Sequence, residues 1–299
     1  MTMNQHTRQD PRHQYPGTEH QERREQEHPG TDRDMTPRPD HGEHTYEGSG
    51  RLTDAVAVVT GADSGIGRAV TIAYAREGAD VVLSYLPEEQ ADAEQSAEHV
   101  RAAGRRAVLV PGDLRTEEAC RELVTRAVEE FGRIDVLVDN AGYQMSQPEG
   151  LLGITTEQFD RVFKTNLYSM FWLCKAAVPH MPPGGCVIAT TSIQAYQPSP
   201  HLMDYAATKA GIVNLTKSLA EDLADKGLRV NAVAPGPIWT PLIPATMPPE
   251  ALESFGGDTP LGRAGQPAEV APAYVFFASQ ESSYITGEVL GVTGGRPLS

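Results

Sequence analysis

Residues Ala55-Val-Ala-Val-Val-Thr60-Gly61-Ala-Asp-Ser-Gly65-Ile-Gly67 decide the fold. An apolar run with no alternation, stopping at glycine, is the pattern of a strand buried on both faces. Each glycine behind it has its own reason. Gly61 allows the tight turn, Gly65 lets the backbone approach a ligand, and Gly67 permits close packing of helix on strand. The amphipathic segment that begins near residue 65 then aims its free amides at a pyrophosphate. Asp63, Ser64 and Ile66 lie in the same loop and share its position against the ligand. A free-standing glycine triplet carries little weight. Strand, loop and helix in this order make a dinucleotide cradle.

Working outward, the pattern repeats. The first helix closes at Gly78, and Asp80–Tyr85 reads as the second strand. A charged helix over Glu88–Ala103 leads to a third strand at Arg106–Val110. Thr116 caps a helix that Gly132 stops at Phe131, ahead of a fourth strand at Ile134–Val138. Thr156–His180 reads as one long helix, Gly185–Ser192 as strand five, Asp204–Lys226 as a helix and Leu228–Ala234 as strand six. A last helix over Pro267–Ser279 and a strand at Glu288–Val292 complete the series. This alternation predicts an α/β fold: one Rossmann-type, doubly wound parallel sheet with helices on both faces. Pro235–Gly265 carries seven prolines and reads as a long loop at the carboxyl ends of the strands, where ligands of such sheets bind.

The chemistry concentrates in Ser192-Ile-Gln-Ala-Tyr-Gln-Pro-Ser-Pro-His-Leu-Met-Asp-Tyr205-Ala-Ala-Thr-Lys209. Tyr205 and Lys209 share a helix face one turn apart. A phenol titrates near ~10, and a cation beside it favours the phenolate and draws that value toward neutrality. Ser192 is placed to donate to a substrate oxygen from a strand end. Taken alone, Y-x-x-x-K is more often a solvated helix face. Two further strand ends support the functional reading. Gly112-Asp113-Leu114 sets a carboxylate where an adenine amino group would lie, and Asp139-Asn140-Ala141-Gly142 offers small residues against a ribose or nicotinamide.

These motifs together resemble the short-chain dehydrogenase/reductase family: T-G-x-x-x-G-x-G, N-A-G after strand four, Asn166 in the next helix, the serine, and Y-x-x-x-K. Pro235-Gly236-Pro-Ile238-Trp-Thr240 is similar to the segment that borders the nicotinamide in that family. The resemblance spans about residues 51–296. It implies an NAD(P)-dependent oxidoreductase acting on CH–OH groups, moving a hydride between nicotinamide and a small carbonyl or alcohol. Tyr205 would be the proton donor or acceptor. Lys209 would tune it and hold the nicotinamide ribose, Ser192 would orient the carbonyl, and Asn166 would position a water leading to Lys209. The family usually has Asn where this chain has Asp139. That keeps an acceptor and loses an amide donor. Alternatives within the family are 3-oxoacyl reduction and sugar oxidation. A non-catalytic dinucleotide-binding stress protein is the remote one.

A narrower resemblance joins Met35–Leu52, Ser192–His201 and Ala278–Tyr284 to an N-terminally extended bacterial subgroup whose members are labelled general stress proteins or aldehyde reductases. It implies an ordered arm at 35–50 on the body or a neighbouring subunit, followed by the dehydrogenase domain at 51–299. The wider family resemblance implies a homotetramer built on the helices around 156–180 and 204–226.

Cofactor choice turns on the end of strand two, where Ser84 and Tyr85 stand and no carboxylate occupies the usual place. Glu88 and Glu89 follow, Arg68 is a candidate phosphate partner, and the reading is NAD or NADP. Ser192, Gln194, Tyr205 and Trp239 are the candidate substrate contacts, in a pocket suited to a modest uncharged carbonyl.

The remaining composition bounds the partners. Residues 1–50 hold no Ala, Val, Ile, Leu, Phe, Trp or Cys, with ten acidic and six basic residues. Such a segment cannot bury enough apolar surface to offset its ordering entropy, so 1–34 reads as a disordered polar tail. Six of the nine histidines fall there at irregular spacing, which points to no metal site. The net charge is −15, of which −4 falls in residues 1–50 and −11 in the rest. That acidity argues against nucleic acid and anionic membranes. No apolar run approaches ~18 residues. Three dispersed cysteines read as core thiols of a reducing, cytoplasmic environment.

Overall fold

The inner strands are short and apolar because they are covered on both sides. The computed structural model of the chain describes residues 4–21 and 24–298. Seven strands, all parallel, run in the order β3-β2-β1-β4-β5-β6-β7. They are β1 (Val56–Thr60), β2 (Asp80–Tyr85), β3 (Ala107–Pro111), β4 (Val136–Asp139), β5 (Cys186–Thr190), β6 (Arg229–Pro235) and β7 (Val289–Val292). The connecting helices are α1 (Gly65–Arg76), α2 (Gln90–Ala102), α3 (Glu117–Phe131), α4 (Thr156–Phe163), α5 (Ser169–Ala177) and α6 (Met203–Leu223), with α7 (Leu242–Thr246), α8 (Pro249–Leu252) and α9 (Pro267–Ala278) before β7.

Helices α1, α2 and α9 cover one face, where Tyr74, Val100 and Phe277 pack on Val59, Leu83 and Ile188. Helices α3, α5 and α6 cover the other, packing Leu123, Leu173 and Ile212 on Val58, Leu137 and Val187. Strand order reverses between β1 and β4, and the crevice at that switch point opens at the carboxyl ends of the strands. The doubly wound sheet is the one the sequence predicts.

Two segments depart from expectation. The expected single helix over 156–180 is interrupted: a π-turn at Lys164–Tyr168 separates α4 from α5, and Val178–His180 is a 3-10 turn. Such a turn inserts one extra residue and re-aims the side chains beside it, here Asn166. The second is the N-terminal segment, for which composition predicts disorder. Residues 1–3, 22 and 23 lie outside the described residues. Around them, the Gln26 amide donates to the Pro244 carbonyl at 3.0 Å, Arg263 Nε donates to the Pro11 carbonyl at 2.8 Å, and Asp32 pairs with Arg68 at 3.1 Å. Apolar burial was the wrong ledger for this stretch. Its contacts are polar and reach across the whole chain.

In the arm at 35–50, Tyr46 and Met35 are buried. Glu77, at the end of α1, accepts from Tyr46, from the Ser49 and Arg51 amides, and from the Arg51 guanidinium at 2.6 and 3.1 Å. Among the described residues no helix is long and apolar enough to cross a membrane.

Candidate active site

The strand ends enclose a cavity of about 1040 Å³, ample for a dinucleotide with room beside it. Gly61 (φ 61°) and Gly65 (φ 49°) occupy the left-handed region, so the turn after β1 is available to glycine at low cost. A Cβ on Gly67 would fall 1.8 Å from the Gly61 carbonyl oxygen, so only glycine lets α1 approach β1 this closely. Gly61, Asp63, Ser64, Gly65 and Ile66 line the cavity, while Gly67 lies beneath it. Ser84 and Tyr85 from β2, Asp113 and Leu114 after β3, and Asn140, Ala141 and Gly142 after β4 line it too. Pro235, Gly236, Ile238 and Thr240 from the loop after β6 close the opposite wall. Thr60 organises the β4 end: its Oγ1 accepts the amides of Asn140 and Ala141, each at 2.9 Å.

A second group gathers around the end of β5. Ser192, Tyr205, Lys209 and Gln194 all face the cavity. Ser192 Oγ accepts the Gln194 amide at 3.1 Å, which leaves its hydrogen to donate, and Gln194 Oε1 accepts the Ser199 amide at 2.7 Å. Lys209 is 3% exposed; its Nζ donates to the Thr190 carbonyl at 2.7 Å and lies 5.4 Å from the Tyr205 ring centre. Burial draws the Lys209 ammonium down to about 8, and the charge of Asp139 works against that. Asp139 is itself 2% exposed with an unpartnered Oδ1, and burial raises its carboxyl, offset by Lys209.

Tyr205 differs from expectation. Burial pushes its phenol up to about 12, with the Ser192 hydroxyl bond pulling the other way. In the protein alone, burial outweighs that bond. Asn166 is 1% exposed and stands off the cavity wall. Its Oδ1 accepts the Tyr143 amide at 2.7 Å, and its Nδ2 donates to the Tyr143 carbonyl at 2.9 Å and to Thr208 at 3.1 Å. That amide clamps the strand-four loop.

Trp239 is a correction. It was expected at the substrate, but its indole turns away from the cavity, packs with Met35 and Phe255, and donates to the Pro37 carbonyl at 2.8 Å. Its loop neighbours Leu242, Ile243 and Met247 face the cavity instead. Arg68 is likewise not free for a phosphate. It is 5% exposed and holds Asp63, Ser96 and Asp92.

The sequence reading missed His28, which lines the cavity from the N-terminal segment. Its ring meets Tyr143 edge-on at 4.9 Å, and Arg161 approaches its Nδ1 at 3.4 Å. Burial, then Arg161, lowers His28 to about 4, so it is a neutral acceptor. No local signal marks a histidine in a polar tail as a pocket residue.

Residues 61–296 match a family model described as enoyl-(acyl carrier protein) reductase. The chain is 55% identical to the uncharacterised oxidoreductase YghA of Escherichia coli over 90% of its own length and 92% of the relative's. It is 44% identical to the NADPH-dependent aldehyde reductase 1, chloroplastic, of Arabidopsis thaliana, over 91% of this chain and 96% of that one. A short-chain dehydrogenase of Burkholderia cenocepacia, solved in complex with NADP, superposes with a TM-score of 0.77 at 31% identity, covering 82% of this chain and 98% of the other. With matches of that extent falling on a sheet, glycine loop and Ser–Tyr–Lys cluster of this form, the chain belongs to the short-chain dehydrogenase/reductase family.

Proposed function

We propose that the protein is an NAD(P)-dependent oxidoreductase that reduces a small, uncharged aldehyde or ketone, with Tyr205 as proton donor. The observation that carries this reading is the convergence of Ser192, Tyr205 and Lys209 on one wall of a cavity whose other end is the glycine loop. The bound nicotinamide supplies the hydride. Ser192 Oγ accepts the Gln194 amide and bonds the Tyr205 phenol, so a substrate oxygen seated between the two takes over the serine's hydrogen. Tyr205, held protonated by burial, gives its proton to that oxygen as charge builds there. Lys209, fixed on the Thr190 carbonyl, sets a positive charge beside the phenolate that results.

Substrate class follows from the wall chemistry. Ile193, Leu202, Leu242, Ile243, Met247 and Phe255 present apolar surface, with Gln144 and Gln194 among the polar groups. The Arabidopsis relative's name, an aldehyde reductase, supports the same class. We read 51–299 as the catalytic domain, with 35–50 packed on it as an arm. We also propose a homotetramer through α4, α5 and α6, where Phe159, Tyr168 and Phe171 are 44%, 46% and 51% exposed. The three cysteines are free and buried, in keeping with a reducing cytoplasm.

The deciding experiment is steady-state reduction of short aldehydes, ketones, acyl thioesters and sugar carbonyls with both NADH and NADPH. Turnover on small carbonyls with little on thioesters or sugars is the expected result. Preferred turnover of thioesters would move the reading to 3-oxoacyl reduction. Light scattering that gave a monomer mass would remove the tetramer.

A further inference from the structure

The N-terminal segment crosses the mouth of the cavity. His28 and Pro29 line it, and the contacts around them go to opposite walls. On the wall formed by the loop after β6, the Gln26 amide donates to the Pro244 carbonyl at 3.0 Å. Gly30 is buried there at φ 80°. A Cβ on it would fall 2.9 Å from the Pro241 carbonyl oxygen and 3.2 Å from the Ala245 Cβ. On the wall formed by α4 and the loop after β4, the His28 ring meets Tyr143 edge-on at 4.9 Å. Arg161 lies 3.9 Å over the Tyr143 ring and approaches His28 Nδ1 at 3.4 Å.

The path of a dinucleotide runs between these walls. Thr240 and Pro241 sit against the glycine loop, where a Cβ on Gly65 would meet them at 3.1 and 3.9 Å. On the far side, Tyr143 follows Asn140, Ala141 and Gly142 on the cavity wall. The charges of Glu88 and Arg115, beyond β2 and β3, also reach His28. A ligand laid from the glycine loop to the ends of β2, β3 and β4 therefore passes beneath residues 26–31. The crossing is braced as a unit: Gln26 Oε1 accepts the Thr31 amide at 2.6 Å, and its Nε2 donates to the Thr31 carbonyl at 3.3 Å. Asp32, next along, is 5% exposed and anchors the segment to Arg68 of α1 at 3.1 Å. The span itself is held by a few separable contacts, unlike the apolar faces that seat α1 and α9 on the sheet. Such a span can lift while the body stays folded.

We infer that residues 26–31 are a strap over the bound dinucleotide, latched by His28 on Tyr143 and Arg161, and that the dinucleotide enters and leaves when the strap lifts. A roof that must open in both directions slows entry and exit alike, so it governs exchange more than affinity. This inference rests on the oxidoreductase reading above, which makes the cavity a dinucleotide site.

The test is stopped-flow fluorescence on the full-length protein. It follows association of NADH or NADPH, whichever binds the more tightly, and its displacement by excess oxidised dinucleotide. Gly30→Ala presses on the Pro241 wall at a φ that glycine alone adopts at low cost, and His28→Ala removes the latch on the other wall. Each should speed entry and release together, by about tenfold, and move the dissociation constant far less. Thermal melts show which variants remain folded, and His28→Ala decides alone if Gly30→Ala does not. Rates that stay unchanged or fall in a folded variant overturn the strap. So does faster release with unaltered entry, which would mark an ordinary contact with the ligand. If neither dinucleotide binds the wild type, the oxidoreductase reading falls, and the strap with it.

Discussion

Lys209 Nζ is anchored to the carbonyl of Thr190 at 2.7 Å, so the ammonium of α6 is fixed by the last residue of β5. The bond sets where positive charge stands relative to Tyr205, whose ring centre is 5.4 Å away. Tyr205→Phe removes the proton and little else. Turnover should fall by about 10²-fold or more, the usual worth of a positioned acid, while dinucleotide binding persists. Steady-state rates paired with a fluorescence titration check this, and near-normal turnover would take the phenol out of the reaction.

Asp139 gives the site a pH signature. Burial lowers Lys209 to about 8 and the Asp139 carboxylate opposes it. The charged lysine is therefore lost as pH rises past that value, and activity should decline with an alkaline limb near it. Asp139→Asn removes the opposing charge, so Lys209 deprotonates earlier and the limb moves to lower pH. A rate profile recorded from pH 6 to 10, about two units either side of the lysine value, decides it. An unmoved limb would show that Asp139 does not act through Lys209.

Glu77 should be a stability hot spot. It is fully buried and accepts six hydrogen bonds from Tyr46, Ser49 and Arg51, joining residues 46–51 to the end of α1. Truncation to Ala leaves the Tyr46 hydroxyl and the Ser49 and Arg51 amides without their acceptor, at about 1–3 kcal/mol. At roughly 2–4 °C per kcal/mol for a chain of 150–250 residues or more, the melting temperature should drop visibly. Burial alone would raise this carboxyl, but the bonds from Arg51 outweigh it and hold it at about 2. A depressed value means the stabilisation is present above the ordinary 4.5 and is lost as pH falls toward 2. The wild type should lose thermal stability over that window faster than Glu77→Ala does.

Trp239→Phe tests the corrected role of that side chain. An aromatic ring is retained but the donor to the part-buried Pro37 carbonyl is lost, at about 1 kcal/mol. Denaturant midpoints should fall, with the KM for small carbonyls unchanged. A raised KM without lost stability would return the tryptophan to the substrate pocket.

What the sequence announced was local. Glycines at 61, 65 and 67 and the spacing of Tyr205 from Lys209 carry their meaning within a few residues, and the structure sets Gly61, Gly65, Tyr205 and Lys209 on one cavity with Gly67 packed beneath it. Trp239 was misplaced because a proline-rich loop has no periodicity to say which way a side chain turns. Glu89 follows strand two in the sequence, but only a 3-10 turn at Pro87–Glu89 sets it on the cavity wall. His28 and Asp32 were invisible. Their partners Arg161 and Arg68 come from elements that no short-range pattern connects to the tail.

The tail's contacts also dictate an order of assembly. Pro11 and Arg263 meet across 252 residues, and Gln26 bonds Pro244. Residues 11 and 26 therefore have no docking surface until residues 263 and 244 have been made. Closing so long a loop is slow compared with the local βα units between. The N-terminus must wait, and it should seat after the sheet has formed. In refolding, protection of the Gln26 amide from hydrogen exchange should appear later than recovery of far-ultraviolet ellipticity; simultaneous appearance would mean that the segment docks on a nascent core.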